Sequence, residues 1–248
     1  MDISIGLVAM TIATFLLAGF VKGAIGLGLP SIAIGLLALA MPPAQAAMVM
    51  IFPSLITNLW QMFVGPYLIP LVRRLWLVLV GSAVGVWLGG GILTSANSRY
   101  AAFGLGVALV VYAALGLTAV RFSVPRRAEP WLSFPVGLAT GFIAGATGVF
   151  VIPAGLYFQA IGLNKDELVQ MLGISFTVST VALAAILWRD GVMQLGNAAG
   201  SMLAVLPALL GMALGQRIRL SASPETFRRW FFIGLLLLGA QQAIRNMF

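Results

Sequence analysis

A single lysine, Lys22, stands within the first apolar stretch of the chain, between Gly19 and Gly23. A charged side chain inside a membrane segment is costly and is usually functional, and the ligand that suits an isolated ammonium is an anion. The corresponding position of a second, similar stretch is Ala144, so the charge is not a requirement of the fold. The alternative interpretation is that Lys22 extends its ammonium to the membrane surface from a shorter helix.

Lys22 lies in a glycine motif that occurs twice, and we place it in the first of two predicted helix breaks. The segment 19–26 (GFVKGAIG) recurs 122 residues later as 141–148 (GFIAGATG), and Pro30 and Pro153 follow the two copies. Glycines ahead of a proline interrupt a helix, and interrupted apolar segments in corresponding places of two halves indicate a transporter binding site. The backbone N–H groups where a broken helix restarts favour an anion. From the two motifs we expect substrate contacts at Lys22, Gly23, Gly26, Gly28, Gly145, Thr147 and Gly148.

Hydroxyl and amide side chains form a second pattern. One face of a predicted helix carries four of them at i, i+3, i+4 spacing: Ser54, Thr57, Asn58 and Gln61. At the same offset of 122 residues, Ser179 corresponds to Thr57, and Thr180 corresponds to Asn58. We predict that an oxyanion is hydrogen-bonded by Thr57, Asn58, Ser175, Ser179 and Thr180. The alternative is that these side chains only join helices to one another.

Composition places the chain in a membrane. Hydrophobic residues make up 61% of it and charged residues 8%, whereas about a quarter of the residues in a soluble domain are charged. The absence of cysteine and histidine excludes disulfides, haem ligation and the common zinc sites. The six carboxylates lie near predicted segment ends, so we expect no enzyme activity, no metal and no cofactor. Basic loops explain the net charge of +8, and we expect no nucleic-acid partner.

The chain divides into two similar halves joined by a linker. The first repeat is predicted at 1–122, with a hairpin at about 4–41 and helices at about 44–64, 75–94 and 99–120. A linker at 123–130 leads to the second repeat, 131–248, with a hairpin at about 131–162 and helices at about 166–187, 193–215 and 227–244. Arg73 and Arg74 are expected in a loop, and Gly85, Gly89, Gly211 and Gly215 in close helix packing.

The basic residues decide between two orientations of the halves. If each half crossed the membrane four times, seven of the basic residues outside the glycine motif would be cytoplasmic and six external. If each interrupted segment returns to its own side, the second half is inverted and the numbers become ten and three. The positive-inside rule favours the inverted arrangement. The N-terminus is then outside and the segment 121–130 is cytoplasmic.

The segments that follow the two breaks are short. Residues 31–41 and 154–164 comprise 11 residues each, which at about 1.5 Å per residue is too little for the roughly 30 Å hydrocarbon core. We therefore predict an all-α polytopic membrane protein of two inverted repeats, each a broken, re-entrant helical hairpin plus three transmembrane helices. The two hairpins are expected to meet near the middle of the membrane.

These residues resemble the TauE/SafE family, the sulfite exporter or 4-toluene sulfonate uptake permease group of bacterial membrane proteins. The resemblance rests on the segment 19–28, on its second copy at 141–148 and on the two-half plan, and it covers essentially the whole chain. It implies transport of a sulfur-containing oxyanion such as sulfite, sulfoacetate or another organosulfonate. The second copy lacks the lysine and carries Phe150 in place of Gly28, so we expect the first half to dominate binding.

We therefore expect a secondary transporter of the bacterial inner (cytoplasmic) membrane that works by alternating access. Its partners are a small anionic substrate and membrane lipid, and a homodimer is permitted but not required. An anion channel, with the same donors along a continuous wet path, is the alternative. A lipid-handling membrane protein with a lateral opening is a further one. Coupling stays open between uniport and symport through the substrate's own protonation.

Overall fold

A computed structural model describes residues 5–95, 98–118, 123–193, 201–218 and 224–247. Of Ser98, Ile218 and the segment 224–228 only the backbone is described. These residues form helices joined by turns, and no strand occurs among them. The protein is all-α, as predicted.

The helices are bounded as follows. The first half contains α1 (Ile5–Ile25), α2 (Leu29–Leu37), α3 (Pro43–Phe63), α4 (Leu68–Leu93) and α5 (Ser98–Thr118). The second half contains α6 (Glu129–Thr147), α7 (Ala154–Ala160), α8 (Lys165–Arg189), α9 (Val205–Ile218) and α10 (Pro224–Arg245). Within the described residues, α1, α3, α4, α5 and α8 are long and apolar enough to cross a bilayer, so this is a polytopic membrane protein.

Each half begins with a long helix, a glycine break and a short helix. Gly26 (φ 82°), Gly28 (φ 106°) and Gly148 (φ 76°) occupy the left-handed region at the breaks, which residues with a side chain rarely adopt. The short helices α2 and α7 have 9 and 7 residues, or about 14 and 10 Å. Turns replace the last residues of the predicted segments 31–41 and 154–164.

Helices α4 and α6 pack with their backbones in contact. A Cβ atom added to Gly85 would lie 2.2 Å from the carbonyl oxygen of Leu138, and one added to Gly141 would lie 2.0 Å from that of Ser82. Real Cβ atoms do not approach backbone so closely, so both positions require glycine. The close packing predicted at Gly85 is thereby confirmed.

The pair formed by α1 and α9 repeats these contacts. A Cβ atom on Gly211 would lie 2.1 Å from the carbonyl oxygen of Leu16, and one on Gly19 would lie 2.1 Å from that of Ala208. All four residues are counterparts, at offsets of 122 or 126 residues, of the four that join α4 to α6. The first long helix of each half therefore packs on the fourth helix of the other half in the same way.

Helices α3 and α8 occupy corresponding places in the two halves and run antiparallel. Asn58 donates a hydrogen bond to Thr180 (3.4 Å). Gln61, one turn further along α3, donates to the carbonyl oxygen of Val169 (2.9 Å), which precedes Thr180 in α8. The contacts of α5 with α10 also place these two helices antiparallel. By contrast, α4 runs parallel to α6, and α1 runs parallel to α9.

Two predicted positions are wrong in detail. Lys22 does not lie in a break, because α1 continues to Ile25 and is interrupted only at the positive-φ glycines. Arg73 and Arg74 do not lie in a loop, because α4 begins at Leu68 and contains them. The predicted start of this helix coincides with a kink, since Leu75 has non-helical angles (φ −119°, ψ 20°).

Smaller differences affect other boundaries. The end of the predicted linker already forms the first turn of α6, where Glu129 and a following proline start the helix, as proline tolerates the first helical turn. The backbone of α10 likewise starts at Pro224, three residues before the predicted 227. Residues 194–200 of the predicted helix 193–215 lie outside the described residues.

Candidate functional site

Lys22 is almost completely buried, with 2% of its surface exposed. Its Nζ donates hydrogen bonds to Asn58 Oδ1 and to Thr57 Oγ1, the latter at 3.2 Å. Both acceptors belong to α3, so Lys22 joins the end of α1 to the middle of α3. The alternative interpretation, in which the ammonium reaches the membrane surface, does not agree with this burial.

A small hydrogen-bond network fixes the two acceptors of Lys22. The Thr57 hydroxyl donates to the carbonyl oxygen of Pro53 (2.7 Å), so its oxygen accepts from the lysine. The Asn58 amide nitrogen donates to Ser54 Oγ (3.0 Å) and to Thr180 Oγ1 (3.4 Å), which turns its oxygen towards the lysine. We call Lys22, Ser54, Thr57, Asn58 and Thr180 the lysine cluster.

Pro53 shapes α3 beside this cluster. A proline inside a helix leaves the carbonyl of the preceding turn without its usual N–H partner. Here the Ser201 hydroxyl donates to that carbonyl, on Val49 (2.7 Å), and accepts from the N–H of Phe52 (3.3 Å). The carbonyl that Pro53 leaves unpaired in α3 is therefore bonded by a residue from the second half.

No carboxylate pairs with Lys22 in the part of the chain that the structure describes. Glu129 binds Arg74 (2.7 Å), and Asp190 binds Arg189 (2.7 Å), which lowers the pKa of the Asp190 carboxyl. Glu167 accepts from the backbone of Asn164 (2.9 Å), and Asp166 is exposed. The same described residues contain no group of three histidine, cysteine, aspartate or glutamate side chains that could hold a metal ion.

The first break follows one turn after Lys22. The Gln61 amide nitrogen donates to the carbonyl oxygen of Gly26 (2.7 Å), and within the described structure the Gln61 oxygen is buried without a partner. The first backbone N–H that bonds back at the start of α2 is that of Ile32, to Gly28 (3.0 Å). The Ser31 hydroxyl is also buried without a partner among the described residues.

The second break differs because its own side chains bind its N–H groups. The Thr147 hydroxyl accepts from the N–H of Val149 (3.2 Å), and the Thr140 hydroxyl accepts from the N–H of Ala154 (3.0 Å), the first residue of α7. At the offset of 122 residues, the first half has Ile25 and Ala18 in these places, which offer no side-chain acceptor.

Aromatic side chains fill the second half where the first half is polar. Phe150 and Phe176 are fully buried and in contact, with ring centroids 6.2 Å apart. They are the counterparts, 122 residues on, of Gly28 and Ser54. Gly148 packs against Ile34 of α2, where an added Cβ would lie 2.0 Å from its Cδ1, so the second break lies against the middle of α2.

The other predicted residues fall into two groups. Gly23 and Gly145 lie against the backbones of α9 and α4, where an added Cβ would come within 2.1 and 2.5 Å of a carbonyl oxygen, so their lack of a side chain serves helix packing. Ser175 and Ser179 are fully buried in α8, and their hydroxyls have no partner in the described structure.

The sequence interpretation did not single out Ser31 or Thr140. Ser31 follows Pro30 at the start of α2, so its place behind a predicted helix restart was an available signal. Thr140 lies 14 residues before the backbone group that it binds, and no local sequence pattern predicts such a contact.

The family match covers nearly the whole chain, including both halves. The model of the sulfite exporter TauE/SafE family matches residues 11–241, which include the lysine cluster and both breaks. No curated protein and no solved structure matches the chain. The protein belongs to the TauE/SafE sulfite exporter family of membrane transporters.

Proposed function

We propose that the protein is a secondary transporter that carries a small sulfur-containing oxyanion, such as sulfite, sulfoacetate or another organosulfonate. The observation that carries this proposal is the burial of Lys22 without a carboxylate partner among the described residues. A buried charge without a partner is costly. A bound anion supplies the missing partner, and family membership supports a sulfur anion.

The first break supplies the remaining donors for the anion. In addition to the Lys22 ammonium, the chain offers the N–H groups of Leu27 and Leu29 and the Ser31 hydroxyl. These three donors make no hydrogen bond within the described structure. The positive end of the α2 dipole lies behind them. Gly26 and Gly28 remove side chains that would hold an oxyanion away from this backbone.

The second half contributes less to the proposed site. Ser175 and Ser179 have buried hydroxyls free to donate, whereas Thr180 is already bonded to Asn58. We assign Thr147 and Gly148 to the support of the second break, because the Thr147 hydroxyl binds the backbone of that break. The substrate is therefore bound mainly by donors of the first half and contacts the second half.

We further propose that the halves are inverted repeats and that transport proceeds by alternating access. The antiparallel course of α3 and α8 supports this proposal, because corresponding helices of a parallel duplication run in the same direction. Two halves with the same packing contacts can exchange conformations at little energetic cost. We place the protein in a bacterial inner membrane, and the distribution of basic residues supports an orientation with the N-terminus outside.

The test is transport by the purified protein in liposomes. We expect saturable uptake of ³⁵S-labelled sulfite and stimulation of this uptake by unlabelled sulfite inside the vesicles, because a carrier exchanges substrate across the membrane. The Lys22→Ala variant should lose both, whereas Lys165→Ala, which removes an exposed lysine, should retain them. Single-channel currents without exchange would contradict a carrier and favour an anion channel.

A further inference from the structure

We infer that Lys22 is the proton-coupling residue of the transporter, taking up one proton when the anion binds and releasing it when the anion leaves. This inference rests on the proposed function and concerns the same site. It goes beyond anion binding because it states what drives transport.

The neutral and the charged form of Lys22 need different numbers of hydrogen-bond acceptors. Within the described structure its Nζ has two hydrogen-bond partners, Asn58 Oδ1 and Thr57 Oγ1. Neither can turn away easily, because the Thr57 hydroxyl is bonded to Pro53 and the Asn58 amide nitrogen to Ser54 and Thr180. A neutral amine has two N–H groups and one lone pair, whereas an ammonium has three N–H groups. The empty site therefore satisfies every N–H of the neutral form.

The charged form needs one more partner than the protein provides. In the empty site, an ammonium would leave one N–H and a full charge unpaired at a position with 2% exposure, which is strongly unfavourable. An oxyanion beside Nζ accepts the third N–H and neutralises the charge in one contact. Binding of the anion and binding of the proton therefore favour each other.

Few other groups near the site can take the proton. Neither α2 nor α3 carries a charged residue. The charged side chains described on the helices packed against α1 and α3 are exposed or bonded elsewhere: Arg73, Arg74, Arg99, Lys165, Asp166, Glu167, Arg189, Asp190, Arg217, Arg229 and Arg245. Asp166 and Glu167 lie within one turn before Val169 in α8, and Val169 contacts Gly26.

Three further ionisable residues belong to these helices. Tyr112 is buried behind Phe231, which contacts Gly28, and a phenol stays protonated near neutral pH. The side chains of Glu225 and Arg228 lie outside those that the structure describes. Lys22 is thus the titratable group at the described site.

The proton balance follows directly. On one side of the membrane, a proton from solution binds the Nζ lone pair, and the anion binds the resulting ammonium. On the other side, the anion leaves and the proton returns to solution from the same nitrogen. A monoanion then crosses without net charge, and a dianion crosses with one negative charge. A proton gradient drives the anion in the direction in which protons flow.

Calorimetric counting of protons tests the inference on the purified full-length protein. The probe is sulfoacetate, which stays fully ionised at about pH 8, since carboxylates titrate near 4. Titrations in Tris and in triethanolamine, neither of which is a sulfonate, give the protons taken up per bound anion from the difference in buffer heat. We expect close to one. The Lys22→Arg variant, whose guanidinium does not release its proton, should bind with an uptake close to zero.

The outcomes distinguish a failure of the proton coupling from a failure of the anion site. Tight binding by the wild-type protein with no proton uptake would overturn the coupling and leave the anion site in place. Absence of binding of sulfoacetate, sulfite and thiosulfate would overturn the proposed function as well. If Lys22→Arg does not fold, the wild-type affinity decides, because it should fall about tenfold per pH unit if one proton is taken up and stay constant if none is.

Discussion

The two breaks of this protein share a scaffold and differ in chemistry. The contacts between α1 and α9 repeat those between α6 and α4, down to the same backbone carbonyls at corresponding positions. At the centre, however, the first half has Lys22 and Gly28 where the second has Ala144 and Phe150. The first is buried and polar, and the second is buried and aromatic.

This difference teaches that helix packing and side-chain chemistry follow separate constraints in the two halves. The glycines that bring helices together are kept in both halves because backbone contact leaves no room for a side chain. The residues that meet a ligand need to exist only once. The Ser179 hydroxyl, which has no partner in the described structure, agrees with this, because its counterpart Thr57 accepts from Lys22, and Ala144 offers no donor in the corresponding place.

The largest expected effect tests the shared scaffold. Gly23→Ala and Gly145→Ala each force a Cβ atom against a backbone carbonyl, so each should lower the free energy of unfolding by about 3 kcal/mol. Thermal unfolding in detergent measures this loss. Gly6→Ala and Gly91→Ala, where no atom lies within 4 Å, should leave stability unchanged or raise it by up to about 1 kcal/mol. A loss of stability in only one of these two variants would contradict the equivalence of the scaffolds.

A lysine swap tests the difference in chemistry. The double variant Lys22→Ala and Ala144→Lys moves the charge to the counterpart position, where Ala144 is fully buried and Phe150 and Phe176 take the places of Gly28 and Ser54. We expect sulfite affinity to stay at least tenfold below wild type, or about 1.4 kcal/mol weaker. Isothermal titration gives the affinity. Recovery of wild-type binding would mean that the two breaks are interchangeable.

A pair of hydroxyl variants separates binding from capping. Thr140→Ala removes the acceptor of the Ala154 N–H and should cost about 1 kcal/mol of stability without changing affinity. Ser31→Ala removes a hydroxyl without a described partner, so stability should persist while affinity falls by a factor of about 3 to 5. Unfolding and binding curves of both variants measure the change in stability and the change in affinity. The opposite assignment of the two effects would place the anion at the second break.

The smallest expected effect concerns the hydroxyls that α8 contributes to the proposed site. Ser175→Ala and Ser179→Ala each remove one buried hydroxyl that has no partner in the described structure. Each should lower sulfite affinity by no more than about threefold, or roughly 0.6 kcal/mol. The measurement is again direct titration, with Thr177→Ala on the same helix as a control, because its hydroxyl is bonded to Gly173. A tenfold loss would give the second half an equal share in binding.

Much of this arrangement could be predicted from spacing, and the exceptions have physical causes. The offset of 122 residues pairs Asn58 with Thr180, and these two side chains are hydrogen-bonded. The end of α1 was misplaced because Gly23 is used for helix packing and only Gly26 and Gly28 adopt positive φ. The start of α4 was misplaced because charges were taken to end the helix, although arginines at a helix end can extend to solvent.

The long-range contacts were beyond sequence reasoning. The ion pair of Arg74 with Glu129 joins residues 55 apart, and Ser201 supports α3 from 152 positions away. Such pairs depend on how helices are stacked, which a single sequence does not encode locally. The burial of Lys22, by contrast, follows from an apolar helix with glycines on one side and polar residues of α3 on the other.

The most direct test of the account is equilibrium binding of ³⁵S-labelled sulfite to the purified wild-type and Lys22→Ala proteins, with circular dichroism to verify that both are folded. The account predicts saturable binding by the wild type and a loss of affinity of at least tenfold, about 1.4 kcal/mol, in a folded variant. Lys165→Ala, which removes an exposed lysine, should bind as the wild type does. Equal binding by wild type and Lys22→Ala would contradict the central claim that the buried lysine is the anion's partner.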